Sequence, residues 1–155
     1  MKESIGGSML LYLVLIFVTV VMLLFSSILT YSKAYKIKNR IIEVIEKYGM
    51  YNSTVANEIN PDLSVAGYKA NQTSNCDDIY NKLIRTKYSE DKLSRNHNSY
   101  GYNYCIFKST NTEGVNEGSY YVVVTFVEFQ FPVIGDIMTF PVYGETKILG
   151  KKYDY

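Results

Sequence analysis

Cys76 and Cys105 are the side chains in this sequence best equipped for covalent chemistry, and both lie in its polar part. They lack C-x-x-C spacing, so they read as neither a redox motif nor half of a zinc site. In an oxidising compartment they would close a loop of about 30 residues and stabilise the fold by ~3 kcal/mol or more. In a reducing one they would be two buried thiols. The single histidine, His97, sits in a polar stretch, and one imidazole does not make a metal centre. Asp77/Asp78 and Glu90/Asp91 are adjacent acidic pairs, best explained as helix capping and solvated charge, with a weak calcium site as the other reading. Glu43 and Glu46 have helical spacing, but Arg40 and Lys47 stand beside them, the pattern of a solvated ion-paired face. No glycine-rich phosphate loop, Ser/His/Asp set or Cys/His nucleophile is present. The expectation is a non-enzyme with no catalytic residues, no cofactor, no metal and no small-molecule substrate.

The elements that carry these residues begin with an apolar run. No charged residue occurs between Ser4 and Ser32, and residues 9–25 (MLLYLVLIFVTVVMLLF) are almost wholly apolar. As a helix, residues 8–31 would be about 36 Å long, against a hydrocarbon core of ~30 Å. A cleaved signal peptide is the competing reading, but the run is longer than an ordinary h-region and no A-x-A site follows. The helical pattern also continues. Ile37, Ile41, Val44, Ile45 and Tyr48 recur at spacings of three and four, an amphipathic stripe suited to packing on a sheet, and Gly49 supplies a C-cap. One unbroken helix over residues 8–48 is expected.

The rest divides into a helical middle and a strand-rich end. Residues 50–75 read as an irregular connection, with a short helical turn capped by Asn52 or Ser53 and ended at Asn60-Pro61. Residues 77–88 read as a helix with Ile79, Leu83 and Ile84 on its apolar face, capped by Ser74 or Asn75, and 89–99 as a polar loop. Residues 101–108, 120–131 and 137–149 are rich in Tyr, Val, Phe, Ile and Thr and read as a three-stranded antiparallel meander. Residues 111–118 and 132–136 would be its turns. Pro141 cannot donate to a ladder, so the last strand is an edge or is bulged there. Such a sheet needs a cover, which the amphipathic half of the long helix can provide. Which face of the middle strand it covers is open: Val123, Thr125 and Val127 on one side, Val122, Val124 and Phe126 on the other. The fold class is α+β, organised as a short leader (1–7), a transmembrane helix (8–32) and an α+β domain (33–155).

The chain has 155 residues with 16 Lys+Arg against 15 Asp+Glu, and this near-zero charge argues against a nucleic-acid partner. Sixteen tyrosines and no tryptophan mark either a sticky surface or the codon bias of an AT-rich genome. Orientation is contested: Lys33, Lys36, Lys38 and Arg40 follow the span, and the positive-inside rule would put the domain in the cytoplasm, whereas a disulfide requires the other side.

The order of a membrane helix, its amphipathic continuation and an antiparallel sheet is that of type IV pilins. Within that group the chain resembles the TadE-like minor pilins, or pseudopilins, of tight-adherence pilus systems. The resemblance rests on Gly6-Gly7-Ser8 before the apolar helix, on residues 35–48 (YKIKNRIIEVIEKY), and on the ending VVVTFVEFQFPVIGDIMTFPVYGETKIL. It implies prepilin-peptidase cleavage after Gly6 or Gly7. It also implies partners among other pilin-like subunits or a pilus assembly platform, and a single-pass membrane location with the domain outside the cytoplasm. Prepilins usually carry a glutamate five residues after the cleavage glycine; that position holds Leu11 or Tyr12 here. The departure points to a component of low copy number rather than the main filament subunit.

Overall fold

The computed structural model describes residues 2–66, 76–89, 93–96, 104–111, 118–130 and 137–150. The element order is α1 (Lys2–Tyr48), α2 (Ser53–Val65), α3 (Cys76–Thr86), β1 (Leu93–Asn96), β2 (Tyr104–Asn111), β3 (Gly118–Gln130) and β4 (Ile137–Glu145). Of the expected turns, 132–136 and all of 111–118 except its end residues Asn111 and Gly118 lie outside the described residues, as do the capping residues Ser74 and Asn75, His97, and Glu90/Asp91.

α1 is one helix of 47 residues, about 70 Å long. It stops at Gly49, which adopts φ +69 and donates its N–H to the Ile45 carbonyl at 2.9 Å. Glycine has no Cβ to oppose this left-handed turn.

The sheet has four antiparallel strands in the order β1-β2-β3-β4, one more than the sequence pattern indicates. The addition is β1, within the stretch read as a polar loop. It pairs with β2 from Leu93↔Ser109 to Asn96↔Ile106. Leu93 is buried and its carbonyl accepts a 2.9 Å hydrogen bond from the Tyr80 hydroxyl of α3. β4 is the other edge, which accommodates Pro141, paired opposite Phe126. After Glu145 the chain inserts one extra residue and rejoins β3 at the bridge Ser119↔Leu149. Thr146 fills the gap: its N–H donates to the Tyr121 carbonyl while its Oγ1 accepts from the Tyr121 N–H, both at 2.9 Å.

Both faces of the sheet are covered. α1 and α2 lie on one, joining Ile37, Ile41, Val44, Ile45, Val55, Ile59 and Leu63 to Tyr104, Ile106, Tyr121 and Val123. α3 lies on the other, joining Tyr80 and Leu83 to Leu93, Cys105, Phe107, Val122, Val124 and Phe126. α1 therefore takes the Val123/Thr125 side of β3, and α3 takes the Val122/Val124 side. Alternate side chains of a strand point to opposite faces, so the continuous apolar run in β3 is what a two-sided cover demands.

α2 runs four residues past Pro61, where a stop is expected. Asn52 caps it, its side-chain oxygen accepting from Val55 N–H at 3.0 Å. Pro61 has no N–H to offer the Asn57 carbonyl, a cost within a helix. Leu63 lies beyond it, fully buried against the sheet-facing core, and Asp62 pairs with Arg40 at 2.8 Å. Both contacts exist only if the helix continues.

Candidate functional site

Two features of this fold are fit for interaction: an uncovered apolar half-helix and a covalently tied domain. Between Met9 and Leu29 every large apolar side chain but Val21 and Leu23 is 47–71% exposed. In water such a surface would be strongly unfavourable, at roughly 25 cal/mol per Å². The helix containing it is long and apolar enough to cross a membrane, and it is a candidate single span. Its hydroxyls suit that solvent. Thr19 donates to the Leu15 carbonyl at 2.8 Å, and Ser27 and Thr30 donate to the Leu23 and Ser26 carbonyls at 2.9 Å. Each of these polar groups finds its partner inside the helix, as a hydrocarbon environment requires.

Beyond Ser32 the same helix becomes one wall of the core. Ile37, Ile41, Val44 and Ile45 are buried. Tyr48, the last residue of the predicted stripe, does not pack on the sheet. It is 42% exposed, and its hydroxyl donates to Glu58 of α2. That bond, more than the nearby Lys47, holds the Glu58 carboxyl below the ordinary carboxylate range. Arg40 donates to Asp62 at 2.8 Å and to Glu43 at 3.2 Å, and Lys47 pairs with Glu58 at 3.1 Å, clasping α1 to α2.

Cys76 and Cys105 form a disulfide with a Cα–Cα distance of 5.7 Å. It ties the first residue of α3 to β2 from the face opposite α1. At the other end of that layer Lys87 and Tyr88 both donate to Glu145 of β4. Burial raises the Glu145 carboxyl, but the two hydrogen bonds outweigh it and hold the group below its usual range. Burial, with the bond to Glu145 second, pushes the Tyr88 phenol well above its ordinary value. The amino-acid pattern gave no sign of this cluster, because its members are far apart in sequence and each reads alone as a solvated polar residue.

The strands run alongside α1 toward its apolar half. Lys147 N–H donates to Glu46 Oε1 at 2.8 Å near the top of α1. A Cβ added at Gly144 would lie 2.7 Å from Lys38 Cδ and 2.8 Å from Ile42 Cδ1. Thr125 Oγ1 donates to the Ala34 carbonyl at 3.3 Å, and β3 continues from there to Gln130.

Gly6 and Gly7 lie inside α1, so entry into a peptidase cleft would require its first turns to unwind. Asp77 and Asp78 occupy the first turn of α3 and favour its positive end. Glu43 pairs with Arg40, and Glu46 with Lys147 at 3.5 Å. Among the described residues no group of three or more His, Cys, Asp or Glu is placed to hold a metal ion. No protein-family model, no curated protein and no solved structure matches this chain.

Proposed function

We propose that this chain is a membrane-anchored, minor-pilin-like component of a tight-adherence pilus or a related secretion apparatus, acting by protein–protein contact rather than catalysis. The observation that carries the reading is the division of α1: one continuous helix, bare and apolar over its first half and built into a sheet-backed core over its second. The bare half would pack with like helices in the membrane or at the base of a filament. The Cys76–Cys105 bond supports an extracytoplasmic domain, and the resemblance of the Gly6-Gly7-Ser8 step, of residues 35–48 and of the ending at 122–149 to TadE-like sequences supports the family reading.

A second reading is a domain facing the cytoplasm as a membrane adaptor, favoured by exposed Lys33, Lys36 and Arg40 just after the span. Thiol labelling of intact cells with a cysteine introduced at Asn96 separates the two. The first reading expects labelling before lysis, the second only after it. Cross-linking in native membranes then tests the role. Capture of pilin-like subunits or the assembly platform, with only a small share of the chain in sheared filaments, is the expected result. Dominance of the filaments by this chain would overturn the minor-component assignment.

A further inference from the structure

The uncharged stretch of α1 is longer than a bilayer needs. Glu3 and Lys33 bound it, and at ~1.5 Å per residue the helix between them runs about 43 Å, against a hydrocarbon core of ~30 Å. An ordinary tilt of ~20° absorbs only about 2 Å of the excess. Some seven to nine residues must therefore leave the hydrocarbon at one end or the other.

The sheet decides which end. Lys147 meets Glu46, and Thr125, paired with Val142, meets Ala34. The strand from 147 to 142 covers roughly 17 Å and the helix from 46 to 34 roughly 18 Å, so the two descend side by side. The backbone ladder continues from Thr125↔Val142 to Gln130↔Ile137, roughly another 17 Å, to the level of about residue 23 on α1. Burial changes at the same level. Leu23, Ser27 and Thr30 continue the spacing of Ala34, Ile37 and Ile41 and are partly covered, whereas every residue from Gly7 to Val20 is exposed. Among the described residues β4 is an open edge of the sheet, and hydrocarbon offers its outward backbone groups no partner. Hydroxyl side chains crowd the same stretch of α1: Ser26, Ser27, Thr30, Tyr31 and Ser32, against only Tyr12 and Thr19 in residues 9–25.

We propose that the hydrocarbon core covers residues 4–23 of α1, about 30 Å of helix, and that residues 24–32 stand outside it. The described sheet then stays clear of the hydrocarbon. The exposed Leu24, Phe25 and Ile28 meet the headgroup layer, and the exposed Tyr31, Lys33, Tyr35 and Lys36 follow on the water side, the order expected at a membrane interface. Gly6 and Gly7 fall inside the covered length. A cut after Gly7 would leave residues 8–23, about 24 Å, one helical turn short of the core. The inference rests on the reading of α1 as a membrane span and is independent of any pilus.

The chain has no tryptophan, so single-tryptophan variants at exposed positions report without background. Leu13→Trp, Val20→Trp and Ile28→Trp, each in the full chain, would be reconstituted in phosphatidylcholine vesicles brominated at the ends of the acyl chains, with iodide on both sides as the aqueous quencher. A core over residues 4–23 centres on Leu13 and puts Val20 roughly 10 Å and Ile28 roughly 22 Å from the midplane, the latter beyond the ~15 Å half-thickness. Leu13→Trp should then lose about twice as much emission to the bromines as Val20→Trp, and Ile28→Trp should be open to iodide. A core over residues 8–32 centres on Val20 and keeps Ile28 inside. Bromine quenching of Val20→Trp equal to or stronger than that of Leu13→Trp would overturn the proposal, as would an Ile28→Trp as protected from iodide as Val20→Trp. If bromines quench neither Leu13→Trp nor Val20→Trp, the span itself fails and the inference with it.

Discussion

The two halves of α1 use the same residue types to opposite ends. Leu, Ile, Val and Met dominate residues 9–25, and Ile and Val supply the stripe at 37–45, yet the first group is exposed, apart from the partly covered Val21 and Leu23, and the second is buried to within a few per cent. The difference is in the polar residues between them. The first half has apolar side chains on all sides, so no single protein surface could cover it. The second places Lys36, Arg40, Glu43 and Lys47 around the stripe, leaving one side for the sheet and the rest for water. Distribution around the helix, more than apolar content, selects the solvent.

The comparison is sharpened most by cavities. Ile41→Ala should destabilise the domain by about 4 kcal/mol, because the residue is fully enclosed and its neighbours are fixed by sheet and helix. Leu15→Ala, an equal deletion from the bare half, should leave the domain's melting temperature unchanged. Equal losses from the two variants would break the distinction. Next in size is the disulfide. Converting both Cys76 and Cys105 to Ser opens a loop closed over a separation of 29 residues and should cost about 3 kcal/mol, read as a lower denaturant midpoint. The bare half of α1 should be unaffected, since the bond lies on the far face of the sheet.

Gly144→Ala tests the close approach of β4 to α1. The new methyl would press on Lys38 and Ile42, and a cost of about 1–2 kcal/mol is expected on thermal unfolding. The smallest effect concerns pH. Glu145 has its folded-state pKa lowered, so the stability it contributes is present above its unfolded pKa and is lost as pH falls through the folded one. Tyr88 has its pKa raised, so its contribution is present below the unfolded tyrosine value and is lost as pH rises beyond it. Glu145→Gln should flatten the acid limb of stability against pH by well under ~1 kcal/mol, because the pair is largely solvent-screened. An unchanged acid limb would show that the cluster is not coupled to folding.

The long helix was legible because two signals coincide: an apolar run of membrane length and a stripe that continues in phase beyond it. The amphipathic stripe identified four of the core residues on α1, but Tyr48 was misread. Periodicity counts an aromatic ring as apolar, whereas its hydroxyl has a carboxylate partner on α2. β1 was invisible because LSRN has one apolar residue and no alternation; backbone pairing to β2 and the Tyr80 hydroxyl create it. The second cover was half legible. β3 is apolar on both sides, which a single helix cannot explain, but nothing local shows that α3 folds back over the Val122/Val124 face. The stop at Pro61 failed because a local penalty of backbone chemistry was offset by a tertiary contact, the burial of Leu63.

The claim that α1 lies in two solvents is tested most directly by alkaline carbonate extraction of membranes from cells making the full chain, combined with limited proteolysis. The wild-type chain should stay with the membrane and keep a protease-resistant domain. Ile45→Asp, which places an unpaired charge in the core, should also stay with the membrane but lose that resistance. Release of the wild-type chain into the supernatant, or an Ile45→Asp domain as resistant as the wild type, would contradict the account.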